Sequence, residues 1–158
     1  MLTLRAEGDL LERSRIRPED EPPRSTGKLG DWYATPLEGS GAPVVLCVSS
    51  RTRLPVLVSA SDIGHLTEQL VMGTREVLRG IGVAEADIEE ELDHMCMVRF
   101  AASAEHALGG VEVLPLGEPD RSALLTKSLE LARTATDAQS PEEATRALFK
   151  RPKLRLVK

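Results

Sequence analysis

Aromatic side chains are scarce in this chain: of 158 residues only Trp32, Tyr33, Phe100 and Phe149 carry rings, 3% of the total. A core cannot be built on so few rings, so it must come from Leu, Val, Ile, Ala and Met, and each ring marks its position. Cysteine is nearly as rare. Cys47 and Cys96 both fall in apolar stretches (VVLCVS and MCMVRF), which suits two buried free thiols of a reducing compartment better than a disulfide framework. No apolar run approaches the ~20 residues that span a bilayer, so no membrane contact is expected. The start, MLTLRAEGD, has neither the basic nor the apolar region of a signal peptide, which makes the cytoplasm the expected location.

Conventional catalytic patterns are missing as well. There is no GxGxxG after a strand, no GxxxxGK[ST], no HExxH, no GxSxG and no CxxC, and no cofactor is expected. The best local metal candidate is Glu91, His94 and Cys96. Glu91 and His94 lie three apart on a helix, but a carboxylate-bridged di-metal site needs a second Glu-x-x-His, and structural zinc needs four spaced ligands. The reading is therefore no metal, with His94 placed at the end of an acidic helix where the dipole favours a cation. His65 and His106 read as surface imidazoles.

Charge is unevenly spread. The net value is −5, yet the final stretch KRPKLRLVK (150–158) holds five cations and no anion. Residues 1–149 thus carry 15 basic against 25 acidic side chains. So acidic a body repels a phosphate backbone, which leaves nucleic-acid contact only to the basic tail 150–158, itself read as a solvated, flexible terminus.

What is present organises into short elements. Leu2 to Ala6 alternates as a strand, and Asp9 leads into a short helix over LLERSRI. Residues 17–28, with Pro18, Pro22, Pro23 and Gly27, read as a flexible loop. Trp32 to Leu37 is extended, GSGAP (39–43) is a turn, and VVLCVS (44–49) is an apolar strand buried on both faces or placed centrally. With LPVLVS (54–59) it forms a β-hairpin, in which Pro55 argues for an edge position. A helix capped by Ser61 or Asp62 follows, with Ile63, Leu66, Leu70, Val77, Leu78 and Ile81 on one face and a stop at Gly80 and Gly82. AEADIEEELDHM (84–95) is a second helix, and MCMVRFAAS (95–103) contains another strand. VEVLPL (111–116) is a strand or an irregular segment. Residues 121–135 form an amphipathic helix, and Ser140, Pro141 and Glu143 open a last helix over 140–149.

The expected class is α+β: a small, mainly antiparallel sheet around residues 44–59 and 96–101, covered on one face by helices 62–81 and 84–95, with extra C-terminal helices. The expected organisation is one domain over 1–138, a C-terminal helix over 139–149, and the tail over 150–158.

The segment LGDWYA (29–34) concentrates what the chain otherwise lacks. Gly30 permits an unusual backbone turn and Asp31 can accept backbone hydrogen bonds. In a strand, Trp32 and Tyr33 point to opposite faces, one into the core. Asp31 is placed to pair with Arg51 or Arg53, fastening the loop. Candidate ligand- or partner-binding residues are Asp31, Trp32, Tyr33, Arg51 and Thr52, with the anchoring role weighted above the ligand role.

LGDWYA, an apolar strand and the hairpin segment Arg51, Thr52, Leu54, Pro55 and Val56 together resemble a family of small bacterial domains of unknown function, from the first strand to about Gly110. Ser49 and Ser50 stand where the family pattern has Asn-Glu, which removes a carboxylate, and the segment after Gly109 departs from the family ending. The resemblance implies the fold boundaries and no activity. Two functions are carried forward: an interaction module that binds a protein partner or its own copy, and a small-molecule binder or enzyme with a pocket at LGDWYA and the 49–55 loop.

Overall fold

The structure, a computed structural model, describes residues 1–13, 15–37, 44–59, 63–103, 121–134 and 139–150. The expected turn at 39–43, the caps Ser61 and Asp62, His106, the segment 111–116 and the tail from 151 onward lie outside the described residues.

Along the chain run β1 (Leu2–Ala6), α1 (Gly8–Arg13), β2 (Trp32–Leu37), β3 (Val44–Ser49), β4 (Pro55–Ser59), α2 (Ile63–Gly80), α3 (Glu85–His94), β5 (Val98–Ala102), α4 (Arg121–Arg133) and α5 (Pro141–Phe149). The class is α+β, as expected. The five strands form one sheet in the order β4-β3-β2-β1-β5. β2, β3 and β4 are joined antiparallel, while β1 runs parallel to both of its neighbours, β2 and β5. The sheet is therefore mixed. Its antiparallel part joins strands only a few residues apart in sequence, and its parallel part needs the long crossovers that lead to β2 and β5.

Alternation assigns the faces. Leu2, Leu4, Ala6, Trp32, Ala34, Val45, Cys47, Val56 and Val58 enter one large core, closed by α2 and α3 through Leu66, Leu70, Val77, Leu78, Ile88 and Leu92. Val44, Leu46, Val48 and Leu57 build a second apolar cluster on the opposite face, joined by Leu124 of α4. VVLCVS is accordingly buried at all six positions. Pro55 begins β4, the edge strand expected of it, where no ladder donor is lost.

The helices end where glycine allows. After α2, Gly82 adopts a left-handed conformation (φ +90°) and the Val83 N–H returns to the Leu78 carbonyl at 3.0 Å. Ser140 caps α5 by accepting the Glu143 N–H at 3.2 Å, with Pro141 at the first helical position. α4 lies along the β4 edge, and its Ser128 hydroxyl accepts the Leu57 N–H at 2.9 Å, filling a ladder position that would otherwise face outward.

One cysteine differs from expectation. Cys47 is fully buried and its thiol is pushed far up by that burial, but Cys96 is exposed. The apolar run around Cys96 does not continue a helix or strand; α3 ends at His94 and β5 begins at Val98, so Cys96 falls on the turn between them.

Candidate functional site

The LGDWYA segment enters the sheet through a tight turn held from three sides. Glu91, buried on α3, accepts the backbone N–H groups of Lys28 at 2.8 Å and Leu29 at 3.1 Å. A β-carbon at Gly27 would collide with that carboxylate, so the close approach requires glycine. Gly30 takes φ +77°, the left-handed region that glycine enters freely. From the hairpin side, the Ser49 hydroxyl donates to the Leu29 carbonyl at 2.6 Å and the Ser50 N–H to the Asp31 carbonyl at 2.8 Å.

Asp31 closes the third side. Its Oδ1 accepts both the N–H and the hydroxyl of Ser25, at 2.9 and 2.8 Å, and its Oδ2 accepts Nε of Arg5 at 3.1 Å. The Ser25 hydroxyl in turn accepts the Thr3 N–H at 2.8 Å, which ties the 17–28 segment to β1. Partial burial pushes the Asp31 carboxyl up, but the Ser25 donors and the Arg5 guanidinium outweigh it and hold the carboxyl below its ordinary value. The expected cation was Arg51 or Arg53; the observed one is Arg5. Parallel pairing sets Arg5 beside Tyr33, two strand positions from Asp31, a neighbour that the sequence order conceals.

The two rings separate as alternation requires. Trp32 is 0% exposed in the main core, whereas Tyr33 is partly exposed on the opposite face, paired with Val48 across the ladder. Arg51 is exposed and reaches the Lys28 carbonyl at 3.5 Å. Thr52 is buried and accepts the Thr145 hydroxyl of α5 at 2.9 Å. Asp31, Trp32, Tyr33, Arg51 and Thr52 thus share one neighbourhood but divide between two faces. Glu91, Arg5, Ser25, Ser49 and Thr145 complete it. Glu91 drew notice in the sequence only as a possible metal ligand, and its partner on α3, His94, instead shares a hydrogen bond with Thr26 Oγ1 at 2.8 Å.

Two accessible features lie outside the turn itself. An open cleft of about 510 Å³ runs between the start of α3 and α5, with Val83 and Phe149 as apolar surface and Asp87, Glu143, Arg146 and Lys150 as charged groups. Lys28 lies over the Phe149 ring at 5.5 Å. Arg146 is held by the Ile81 carbonyl at 3.0 Å and by Glu142.

The other feature is the outer edge of β5. Leu2 N–H donates to the Met97 carbonyl at 2.7 Å and Ser103 N–H to the Ala6 carbonyl at 2.9 Å, so odd-numbered residues of this strand face β1. Val98, Phe100 and Ala102 turn their backbone groups outward. Among the described residues only Glu19 meets them, through its N–H on the Phe100 carbonyl at 2.8 Å, with its side chain paired to Arg99 at 2.6 Å. Met97, at the head of the strand, is 65% exposed.

Among the described residues no helix is long and apolar enough to cross a membrane, and no three His, Cys, Asp or Glu side chains cluster as metal ligands. No curated protein and no solved structure shows a significant match to the chain. A family model, Domain of unknown function (DUF6933), matches residues 3–110. That span takes in the five-stranded sheet from Thr3 onward, α1 to α3, LGDWYA and the RTRLPV hairpin, and leaves out α4 and α5. The chain belongs to the DUF6933 family.

Proposed function

We propose that this chain is a cytoplasmic, non-enzymatic interaction module whose binding surface is the outer edge of β5. The observation that carries this reading is the row of outward backbone groups at Val98, Phe100 and Ala102, guarded among the described residues by one donor and flanked by exposed Met97. An open edge offers unpaired donors and acceptors to an extended peptide, which adds as a further strand. The polar groups of the LGDWYA turn support the same reading, since Asp31, Ser49, Thr52 and Glu91 are each engaged in fastening backbone or helices. In this proposal residues 1–138 act as one unit, with the 139–149 helix docked through Thr145 and the 150–158 tail beyond it.

Selection of displayed extended peptides on the immobilised full chain tests the proposal. Peptides whose binding is lost on Ala102→Pro, which removes an outward N–H without touching the β1 ladder, support it. No enrichment, or enrichment indifferent to Ala102→Pro, overturns it.

A second reading draws on Tyr33, which stays partly exposed beside Arg5 and Asp31. It places a small-molecule pocket at Asp31, Tyr33, Arg51 and Thr52. An NMR fragment screen that shifts these four residues together supports it, and a screen that leaves them unmoved removes it.

A further inference from the structure

We infer that the strand added to β5 is β5 of a second copy, antiparallel and centred on Phe100. This rests on the reading of the β5 edge as a binding surface and names its occupant.

The register supplies the first argument. A twofold axis through Phe100 sets each Phe100 opposite its counterpart and each Val98 opposite the second copy's Ala102. All three pairs are of the hydrogen-bonded kind, because only the even-numbered residues face outward. Each pair exchanges two bonds, about six in all, and no outward donor or acceptor within Val98–Ala102 is left over. The strand holds no proline, so no outward N–H is missing.

The side chains fit the same symmetry. Val98, Phe100 and Ala102 lie on the face of their β1 partners Leu2, Leu4 and Ala6, where Val98 and Phe100 are only partly buried against the core. Pairing covers that half-exposed apolar strip with an identical strip, the larger Val98 meeting the smaller Ala102. On the opposite face Arg99 is paired with Glu19 at 2.6 Å. In the twofold register each Arg99 stands opposite the second copy's Ala101, so the two guanidinium groups are diagonal and not directly opposed.

The two sheet edges also differ in how they are closed. At β4 a whole helix lies along the edge and Ser128 occupies the Leu57 N–H. At β5 the Glu19 N–H on the Phe100 carbonyl is, among the described residues, a single latch. Association exchanges that donor for the second copy's Phe100 N–H on the same oxygen, so the carbonyl stays satisfied throughout.

Light scattering on the full chain, followed from about 10 µM to about 1 mM, decides the matter alongside three variants. Glu19→Pro removes the latching N–H and should tighten association several-fold. Ala102→Pro removes one outward donor from each copy and should weaken it roughly 30-fold. Ala102→Glu keeps the backbone intact and sets a carboxylate against the second copy's Val98, so it should weaken association even if the proline variant folds poorly. Self-association of the wild type or of Glu19→Pro that either Ala102 variant abolishes supports the inference. Monomers for both, or association that both Ala102 variants leave intact, overturn it. If the chain stays monomeric while edge-dependent peptides are still selected, the occupant is wrong and the edge reading stands; if neither binds, both fall.

Discussion

The Thr145 hydroxyl on α5 donates to the Thr52 hydroxyl in the β3–β4 hairpin at 2.9 Å, although 93 positions separate them in sequence. Both side chains are buried, and Thr52 also reaches Ser49, whose own hydroxyl holds the Leu29 carbonyl. The bond thus links a helix outside the family match to the LGDWYA turn inside it. Thr145→Val keeps the shape but removes the donor. It should cost about 1–2 kcal/mol in chemical denaturation, and a matching Thr52→Val should recover part of that loss in a double-mutant cycle.

Glu91 is the sharper case. Its carboxylate is buried and accepts two backbone N–H groups, those of Lys28 and Leu29. Glu91→Ala should destabilise the fold by about 2–4 kcal/mol, with amide exchange at Lys28 and Leu29 rising more than in β3. Glu91→Gln, which retains one acceptor, should fall between the two. Equal exchange across both regions would assign the loss to the helix rather than to the turn.

Asp31 gives a pH dependence with a definite sign. Its folded-state value is held below the ordinary carboxylate value, first against burial and then by Ser25 and Arg5. The unfolded chain therefore binds this proton more readily. The stability it contributes is present above about pH 4 and is lost as pH falls through the lower folded value. Asp31→Asn should lower stability at pH 7 by roughly 1–2 kcal/mol and flatten the acid limb of the stability curve. Equal acid sensitivity in wild type and variant would show that other carboxylates set that limb.

Ser128 predicts a change in solubility as much as in stability. Ser128→Ala strips the acceptor from the Leu57 N–H and costs about 1 kcal/mol by denaturation. It also leaves one more free donor on the β4 edge, so aggregation on heating should begin earlier than in wild type.

Thr74 should respond in the opposite direction. Its hydroxyl is fully buried on α2 and has no hydrogen-bond partner among the described residues. Thr74→Val removes a desolvated polar group at nearly constant volume and should stabilise by up to about 1 kcal/mol, read as a higher Tm. Gly73, one position earlier, allows no such gain, because an added β-carbon would approach Val56 Cγ1 to 2.8 Å.

Much of the fold was legible because local rules and tertiary packing agree here. The β3–β4 hairpin, the apolar face of α2, the Ser140 cap and the opposed rings of Trp32 and Tyr33 all follow from period and turn chemistry within a dozen residues. The place of β1 does not. A five-residue strand carries no mark of its neighbours, so its parallel pairing with β2 and β5, and with it the Arg5–Asp31 contact, stayed hidden. The role of Glu91 stayed hidden for a related reason: a carboxylate spaced for a metal looks the same in sequence as one spaced for two backbone amides. The β5 edge was invisible, because an edge is a property of strand order and not of the strand.

The central seat of β1 also bears on the order in which the molecule assembles. β1 is made before both of its flanking strands, Trp32–Leu37 and Val98–Ala102, so one side of it stays unpaired until the chain has been made through β5. The β2–β3–β4 meander, whose internal pairings join strands adjacent in sequence, can form long before that. The N-terminal strand is then a late arrival in a sheet begun without it, and the nascent chain must keep Leu2 and Leu4 out of other apolar company until β5 closes the far side.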